Sequence, residues 1–249
     1  MRKILSIAAL VVGLGAFSSA RAAVINGVDW ANVYDPDVSG NNALPNVPPN
    51  TWVPYTAGTS TATITSNYLT ISDSAVTDSR AYSNTSGWDG DAAVGMSVEA
   101  RVQMVTPIGT APIGQIRVGN SSKYLYISFT QIDIRYGTSA QFVISNVDLT
   151  NFTTVRLTLA SNLDLNIYVN NNSTPVGTLN SAAFTNGAAN SIMFGDATSY
   201  AGGTSNWDYI AYTAGVYPVP EPGSMILLSL GLLPVCFSAH RKLRSRSVE

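Results

Sequence analysis

Side chains that could carry acid–base or nucleophilic chemistry are few in this sequence. His240 is the sole histidine and Cys236 the sole cysteine, and both lie near the C-terminus. A Ser-His-Asp triad, a Cys-His pair and a histidine-ligated zinc site each need a histidine beside the other groups. Residues 23–217 contain no histidine, so none of these three kinds of site can form within them.

Paired carboxyl groups could also carry chemistry. Glycoside hydrolysis needs two carboxyls on opposite sides of a sugar. Glu99 is the one glutamate in residues 23–217, and its neighbours 98 and 100–102 include no second acid. We therefore interpret Glu99 as a solvated or arginine-paired strand residue. An aspartate pair such as Asp89 and Asp91 stays open, although the sequence Gly-Trp-Asp-Gly-Asp around it is typical of a turn.

Charge and cysteine content exclude further classes of protein. Residues 23–217 carry six cationic and thirteen acidic side chains, a formal net charge of −7. This balance gives no attraction for nucleic acid. The same residues contain no cysteine and hence no disulfide, so their stability must come from a packed core, with or without a bound ion.

Alternation of apolar and polar residues predicts the elements that hold these side chains. Every second residue from 94 to 104 is apolar, which predicts a strand with one buried and one wet face. Similar patterns predict strands at 62–65, 68–72, 113–118, 124–129, 131–136, 141–145, 154–160, 163–169, 191–194 and 208–213. Turn residues separate most of them, which favours one antiparallel β-sandwich over 23–217.

Two segments between the strands have a distinct composition. Five prolines lie between residues 35 and 54, which excludes a helix and a central strand. Aromatic residues flank this segment, and they favour an ordered loop along the edge of the sandwich over a flexible arm. The polar run 170–174 lies between two apolar segments and predicts a hairpin tip.

The N-terminus has the three parts of a secretory signal peptide. Cationic Arg2 and Lys3 precede an apolar run that ends near Phe17, and small residues at 20 and 22 follow. This order predicts a signal peptide over residues 1–22, with Ala23 as the mature N-terminus. An uncleaved N-terminal anchor is the alternative.

The C-terminal segment 218–249 also has three ordered parts: a proline-rich motif (Val219, Pro220, Glu221 and Pro222), an uncharged run (223–239) and a basic tail (Arg241, Lys242, Arg244 and Arg246). As a helix the uncharged run would reach about 25 Å, the short limit for a transmembrane helix. The basic tail would then lie in the cytoplasm and the preceding residues outside.

This order resembles the PEP-CTERM sorting signal of exported bacterial proteins. The resemblance implies the secretion machinery and exosortase, a membrane transpeptidase, as partners. It also implies a precursor anchored in the inner membrane and a product at the cell surface or in the extracellular matrix. An ordinary C-terminal anchor is the alternative.

Three pieces of the central segment carry a second resemblance: Ser-Val-Glu-Ala-Arg-Val at 97–102, Asn-Ile-Tyr-Val-Asn at 166–170, and Phe-Gly-Asp at 194–196 followed by Trp-Asp-Tyr-Ile-Ala-Tyr at 207–212. They resemble the concanavalin A-like, laminin G-like sandwiches of secreted bacterial proteins. The resemblance implies an all-β fold, an antiparallel jelly roll whose late strand returns beside the N-terminus. Lectins, glucanases and adhesion domains share this fold, so it selects no chemistry.

The same resemblance implies binding sites. Calcium-binding members imply Ca²⁺ at Asp29 and Asp208, where the late strand would meet the N-terminal segment; capping of turns by these aspartates is the alternative. Four aromatic residues in or near glycine-rich loops are predicted to stack on sugar rings, with packing in the core as the alternative: Trp88, Tyr200, Trp207 and Tyr212.

Together these features predict an exported protein without catalytic activity, either glycan-binding or structural within an extracellular polysaccharide matrix. A secreted carbohydrate-active enzyme on the same scaffold is the alternative. The catalytic glutamates of sandwich glucanases follow the pattern Glu-x-Asp-x-x-Glu, and the residues around Glu99 do not match it.

Overall fold

The computed structural model describes residues 23–37, 42–75, 77–109, 111–136, 142–197 and 202–217. Within these ranges the chain forms β-strands and one short 3-10 turn, Ser181–Ala183. The strands are β1 (Ala23–Ile25), β2 (Val28–Trp30), β3 (Asn32–Tyr34), β4 (Val53–Ala57), β5 (Thr61–Thr65), β6 (Tyr68–Ser72), β7 (Ser79–Asn84), β8 (Met96–Pro107), β9 (Gly114–Gly119), β10 (Lys123–Phe129), β11 (Asp133–Tyr136), β12 (Phe142–Ser145), β13 (Thr153–Leu159), β14 (Leu165–Val169), β15 (Gly177–Leu179), β16 (Thr185–Asn186), β17 (Ile192–Asp196) and β18 (Gly203–Ala214).

The strands form two large sheets and one small hairpin. The first sheet has the order β12-β11-β10-β9-β17-β7-β4, with β16 beside β10. The second has the order β15-β14-β13-β8-β18-β6-β5, with β3 beside β18, and β1 pairs with β2 alone. Neighbouring strands run antiparallel, as in the central pair of β8 and β18. Because apolar residues from both sheets form one buried cluster, the sheets are the two layers of a β-sandwich. The predicted all-β antiparallel sandwich is confirmed.

Large aromatic residues join the two layers. Trp207 in the second sheet and Phe194 in the first are fully buried, with ring centroids 5.1 Å apart. Trp52 meets Phe194 edge to face at 4.9 Å. Burial of each such side chain stabilises the fold by about 1.5–3 kcal/mol.

The strand β8 shows where the pattern of alternation fails. Its apolar face is buried as predicted, but Ser97 and Glu99 on the other face are also fully buried. The Tyr217 backbone N–H donates to Ser97 Oγ at 2.9 Å, and the Ser97 hydroxyl donates to the Gly215 carbonyl at 2.7 Å. The prediction of a wet face is therefore wrong at these two residues, because other parts of the chain cover them.

The described part of the proline-rich segment packs against the sandwich. The Tyr34 hydroxyl donates to the Ala43 carbonyl at 3.2 Å, and Trp52 is buried in the core. The strand β4 contains Pro54 and lies at the edge of the first sheet, where a residue without an N–H is tolerated. These contacts agree with an ordered loop.

The predicted hairpin tip at 170–174 joins β14 to β15, which pair antiparallel. Asn170 and Asn171 have φ angles of 51° and 58°. Asparagine tolerates this left-handed region better than most residues, which explains the choice of residues in this turn.

Candidate functional site

Polar side chains cross the outer face of the first sheet. In β9 and β10 the apolar residues Ile116 and Ile127 are buried in the core, so their neighbours along each strand face outward. The strand register then aligns these outward residues into rows. We call the following set the polar face: Gln115, Arg117, Tyr124, Tyr126, Ser128, Asp133, Arg135, Ser191 and Met193. Within it Gln115, Ser128, Asp133 and Ser191 are buried, and the other members are half-buried.

Two rows of the polar face are fixed by pairing of the strands. Gln115 lies opposite Ser128, and its amide donates to the Ser128 hydroxyl at 3.0 Å. Arg117 lies between Tyr126 on one side and Met193 on the other. Hydrogen bonds to both neighbouring strands hold the backbone of each strand in place. Neighbouring side chains in a row therefore project from a rigid backbone at a spacing of about 4.8 Å.

Two tyrosines lie on the strand that pairs with the strand of Arg117. Tyr126 and Tyr124 are half-buried, and their rings meet edge to face with centroids 5.7 Å apart. One Arg117 nitrogen, Nη2, donates to the Ser191 hydroxyl at 2.7 Å. The arrangement offers fixed hydrogen-bond donors beside aromatic surface, which suits a ligand with hydroxyl groups and apolar ring faces.

Charge on the polar face is mixed. Arg135 forms an ion pair with Asp133, with 3.1 Å between Nη2 and Oδ2. Arg117 takes part in none of the three ion pairs that join described residues. Two guanidiniums and one carboxylate therefore share this face, in a segment whose overall charge is negative.

The outer face of the second sheet holds a buried ion pair. Arg156 Nε lies 2.6 Å from Glu99 Oε2, and both side chains are almost completely inaccessible to solvent. Asn26 and the Tyr209 hydroxyl each donate to Glu99 Oε1 at 2.7 Å. The arginine-paired alternative for Glu99 is the one that this geometry supports.

The hairpin of β1 and β2 covers that ion pair. The Arg156 guanidinium lies 5.6 Å from the centre of the Trp30 ring, and Trp30 is fully buried. Burial, and then the Glu99 carboxylate, raise the pKa of Tyr209 above its ordinary range, so its hydroxyl remains a donor. A carboxylate with three donors and no solvent access cannot meet a sugar, so Glu99 does not fit the role of a glycosidase acid.

The residues predicted to bind calcium lie near the same hairpin but in different settings. Asp208 forms an ion pair with Arg101 on the outer face of the second sheet, and both side chains are partly exposed. Asp29 is exposed between Val28 and Trp30, which pack on Tyr209 and Ala211. Because side chains alternate along a strand, Asp29 faces away from β18.

The late strand does return beside the N-terminal segment, since β3 pairs with β18. Nevertheless, the guanidinium of Arg101, which is paired with Asp208, would repel a cation. The described ranges also contain no group of three or more His, Cys, Asp or Glu side chains arranged for a metal ion. These two aspartates do not fit a calcium site in this arrangement.

Three of the aromatic residues predicted to stack on sugars lie inside the core. Trp88 donates its indole N–H to the Gly119 carbonyl at 2.8 Å, Trp207 donates to Ser205 Oγ at 2.9 Å, and both are buried. Tyr212 is also buried and donates to the Ser86 carbonyl at 2.6 Å. Their ring faces are covered by protein, which matches the alternative of core packing. Tyr200 lies outside the described residues.

The sequence did carry a signal for the polar face. Alternation within the predicted strands 113–118 and 124–129 puts Arg117 and Tyr126 on the polar side. Their juxtaposition depends on the register of β9 against β10, which the sequence pattern leaves undetermined.

Two buried aspartates meet between the sheets at another place. Asp73 follows β6 of the second sheet, Asp196 ends β17 of the first, and both are buried. Burial raises the pKa of Asp73, and the neighbouring Asp196 acts in the opposite direction. Both carboxylate oxygens of Asp73 are buried without a hydrogen-bond partner among the described residues, so its charged form is disfavoured and its protonation responds to pH.

Comparison with known proteins identifies the C-terminal segment. Residues 218–242 match the PEP-CTERM protein-sorting motif, which confirms the predicted sorting signal and supports exosortase-sorted export of a membrane-anchored precursor. The motif residues from 219 to 222, the apolar run 223–239 and the basic tail lie outside the described residues. No helix in the described part of the chain is long and apolar enough to cross a membrane. No curated protein matches the chain significantly.

Solved structures resemble the sandwich. A carbohydrate esterase from the Shiga toxin-encoding bacteriophage phi24B has a TM-score of 0.51 and 16% identity, over 74% of this chain and 97% of that one. The cellulose induced protein Cip1 has a TM-score of 0.51 and 13% identity, over 74% of this chain and 99% of that one. At such identities the likeness concerns the fold alone, and it agrees with a β-sandwich carried by a chain with a PEP-CTERM sorting motif.

Proposed function

We propose that the chain is an exported bacterial protein that binds polysaccharide without catalysis, at the cell surface or within an exopolysaccharide matrix. In this proposal residues 1–22 are a signal peptide, residues 23–217 are a concanavalin A-like jelly roll, and exosortase removes the C-terminal segment. The match to the PEP-CTERM motif supports the route of export. Transfer to the outside places the polar face in contact with extracellular polymers.

The observation that carries the binding role is the polar face itself. It holds the half-buried side chains of Tyr126 and Arg117 opposite each other on the outer side of a sheet whose other face is the core. Proteins bind sugars with amides, guanidiniums and hydroxyls for the ring substituents and with aromatic rings for the ring faces. A small molecule needs an enclosing pocket, whereas an extended polymer can lie along the rows of a sheet.

The absence of suitable acids and bases argues against the enzymatic alternative. Residues 23–217 contain no histidine, and their sole glutamate is held in a buried ion pair. No acid pair of the polar face spans a sugar, because Asp133 is the one carboxylate in the set and it is bound to Arg135.

Two measurements on one strain test the proposal. Mass spectrometry of the protein from the exporting cell should give an N-terminus at Ala23 and a C-terminus near residues 220–222. The same protein should be retained by insoluble or immobilised polysaccharides and release no reducing sugars from them. Recovery of an intact C-terminus would refute the processing, and hydrolysis of any polysaccharide would favour the enzyme.

A further inference from the structure

We propose that the polar face binds a carboxylate-bearing polysaccharide, with the Arg117 guanidinium as the principal contact for the carboxylate and Tyr126 as the adjoining aromatic surface. This inference rests on the proposed function and names the class of ligand and the residues for that same face.

The first argument is the distribution of charge. On the outer face of the second sheet both guanidiniums have carboxylate partners, Arg156 with Glu99 and Arg101 with Asp208. On the polar face Asp133 balances Arg135, and the described contact of Arg117 is the uncharged Ser191 hydroxyl. Arg117 therefore leaves a net positive charge on this face. An anionic polymer is repelled by the acidic remainder of residues 23–217 and drawn to that charge.

The second argument is the hydrogen-bonding capacity of Arg117. A guanidinium has five N–H donors in a planar fork. Among the described residues one donor is used, by Nη2 on Ser191, while Nε is buried without an acceptor, so Nη1 and the second N–H of Nη2 are the donors left for a ligand. That bond holds the half-buried side chain in place while other donors remain available. Carboxylates match this fork better than sugar hydroxyls do, since they can accept two parallel bonds.

The third argument concerns the surroundings of the guanidinium. Tyr126 lies directly across from Arg117, and Gln115 and Ser128 form the next row. A uronic acid unit could thus place its carboxylate on Arg117 and its ring against Tyr126. Gln115 and Ser128 are buried and bonded to each other, so they support this row from within the sheet. On the second sheet, by contrast, the Arg156 guanidinium is buried beside Trp30 and paired with Glu99, and the exposed Arg101 guanidinium already holds the Asp208 carboxylate.

Polygalacturonate and its fully methyl-esterified form are the probes, because they share a backbone and differ in charge. The full-length chain, purified in mild detergent, is titrated with each polymer by biolayer interferometry. Arg117→Gln should weaken polygalacturonate binding about tenfold or more, the loss typical of a charge-assisted bidentate contact. Arg101→Gln removes the same charge from the other sheet and should leave the affinity within about twofold. Arg117→Lys should give an intermediate affinity because it keeps the charge but loses the fork.

Raising the NaCl concentration provides a test on the unmodified protein, since exposed charge contacts weaken as the Debye length falls from about 10 Å at 0.1 M to about 3 Å at 1 M.

Salt-sensitive binding to polygalacturonate, lost in Arg117→Gln and kept in Arg101→Gln, supports the inference. Equal binding by Arg117→Gln and the unmodified chain overturns the site. Preference for the esterified polymer overturns the ligand class but leaves the proposed function standing. If the chain binds no polysaccharide in a broad set, the proposed function falls as well.

Discussion

The two outer faces of the sandwich treat their charged residues in opposite ways. On the second sheet the hairpin of β1 and β2 closes over Arg156 and Glu99, so the charges are dry and paired. On the first sheet Arg117 remains half-buried, bonded to the Ser191 hydroxyl and opposite Tyr126 on the next strand. Both faces are formed by strands in which apolar and polar residues alternate. What differs is the cover, which buries the pair of Arg156 and Glu99 and leaves Arg117 half-buried.

Removal of Arg156 should have the largest effect. Arg156→Ala leaves the Glu99 carboxylate buried without its cation, which typically costs about 3–5 kcal/mol. Urea unfolding of the full-length chain in detergent should show this loss. The matched control is Arg101→Ala, because Arg101 and Asp208 have side chains that are 43% and 24% exposed. An exposed pair contributes about 0–1 kcal/mol. Similar losses in the two variants would contradict the distinction between a dry and a wet ion pair.

The pair of Asp73 and Asp196 shows what a buried acid does when its neighbour is another acid. Since burial raises the pKa of Asp73, the folded state holds that proton more tightly than the unfolded state. Its contribution to stability is therefore present below the ordinary pKa of 3.8 and is lost as pH rises through the folded-state pKa. Glu99 differs because it has an arginine partner.

Asp73→Asn should accordingly stabilise the protein at neutral pH. We expect a melting temperature about 2–4 °C higher at pH 7, the shift that about 1 kcal/mol gives in a domain of this size, and no gain near pH 4. Asp148→Asn is the control, because hydrogen bonds from Thr150 lower the pKa of that exposed carboxyl and its removal should not stabilise. A pH-independent difference between Asp73→Asn and the unmodified chain would show that the acid pair is not the cause.

Arg117→Gln should have a small effect on stability, in contrast with its effect on binding. Arg117 is half-buried and its described partner is a hydroxyl, so the change in unfolding free energy should stay within about 0.5 kcal/mol. Urea unfolding of Arg117→Gln and of Arg156→Ala gives the change in unfolding free energy for one residue on each face, so the two can be compared directly. A loss of several kcal/mol would mean that Arg117 serves the fold, and the polar face would then lose its separate role.

The parts of the fold that the sequence predicted are those with local alternation. The strand β6 was predicted with its observed bounds at 68–72, and β8 and β13 were predicted within a few residues. The short strands β1, β2 and β3 were missed, because three residues give no period. They are held by contacts distant in sequence, such as β3 with β18. The edge strand β4 was missed because its proline argues against a strand.

The site was harder to predict than the fold, for a related reason. Residue type cannot distinguish a tryptophan that faces solvent from one such as Trp207 that joins two sheets. Alternation marked Glu99 as facing outward, which is correct, but its cover comes from residues 23–30, and that of Ser97 on the same face comes from residues 215–217. Arg117 and Tyr126 become neighbours through strand register, a property of the pair rather than of either segment.

Calcium should have the smallest effect. A cation that binds only the folded state stabilises it by RT ln(1 + [L]/Kd), about 2.7 kcal/mol at a hundredfold excess over Kd. Asp208 already has a guanidinium partner, and Asp29 faces away from β18, so no such stabilisation is expected from this pair. The melting temperatures of the full-length chain in millimolar Ca²⁺ and in EDTA should agree within about 1 °C, well below the roughly 2–4 °C that 1 kcal/mol would give.

A rise of several degrees in Ca²⁺, abolished by Asp208→Asn and kept in Asp164→Asn, would instead establish the site that the late-strand resemblance implied. The N-terminal hairpin would then be a metal-held cover, and the contrast between the two faces would depend on the ion as well as on the buried Glu99–Arg156 pair.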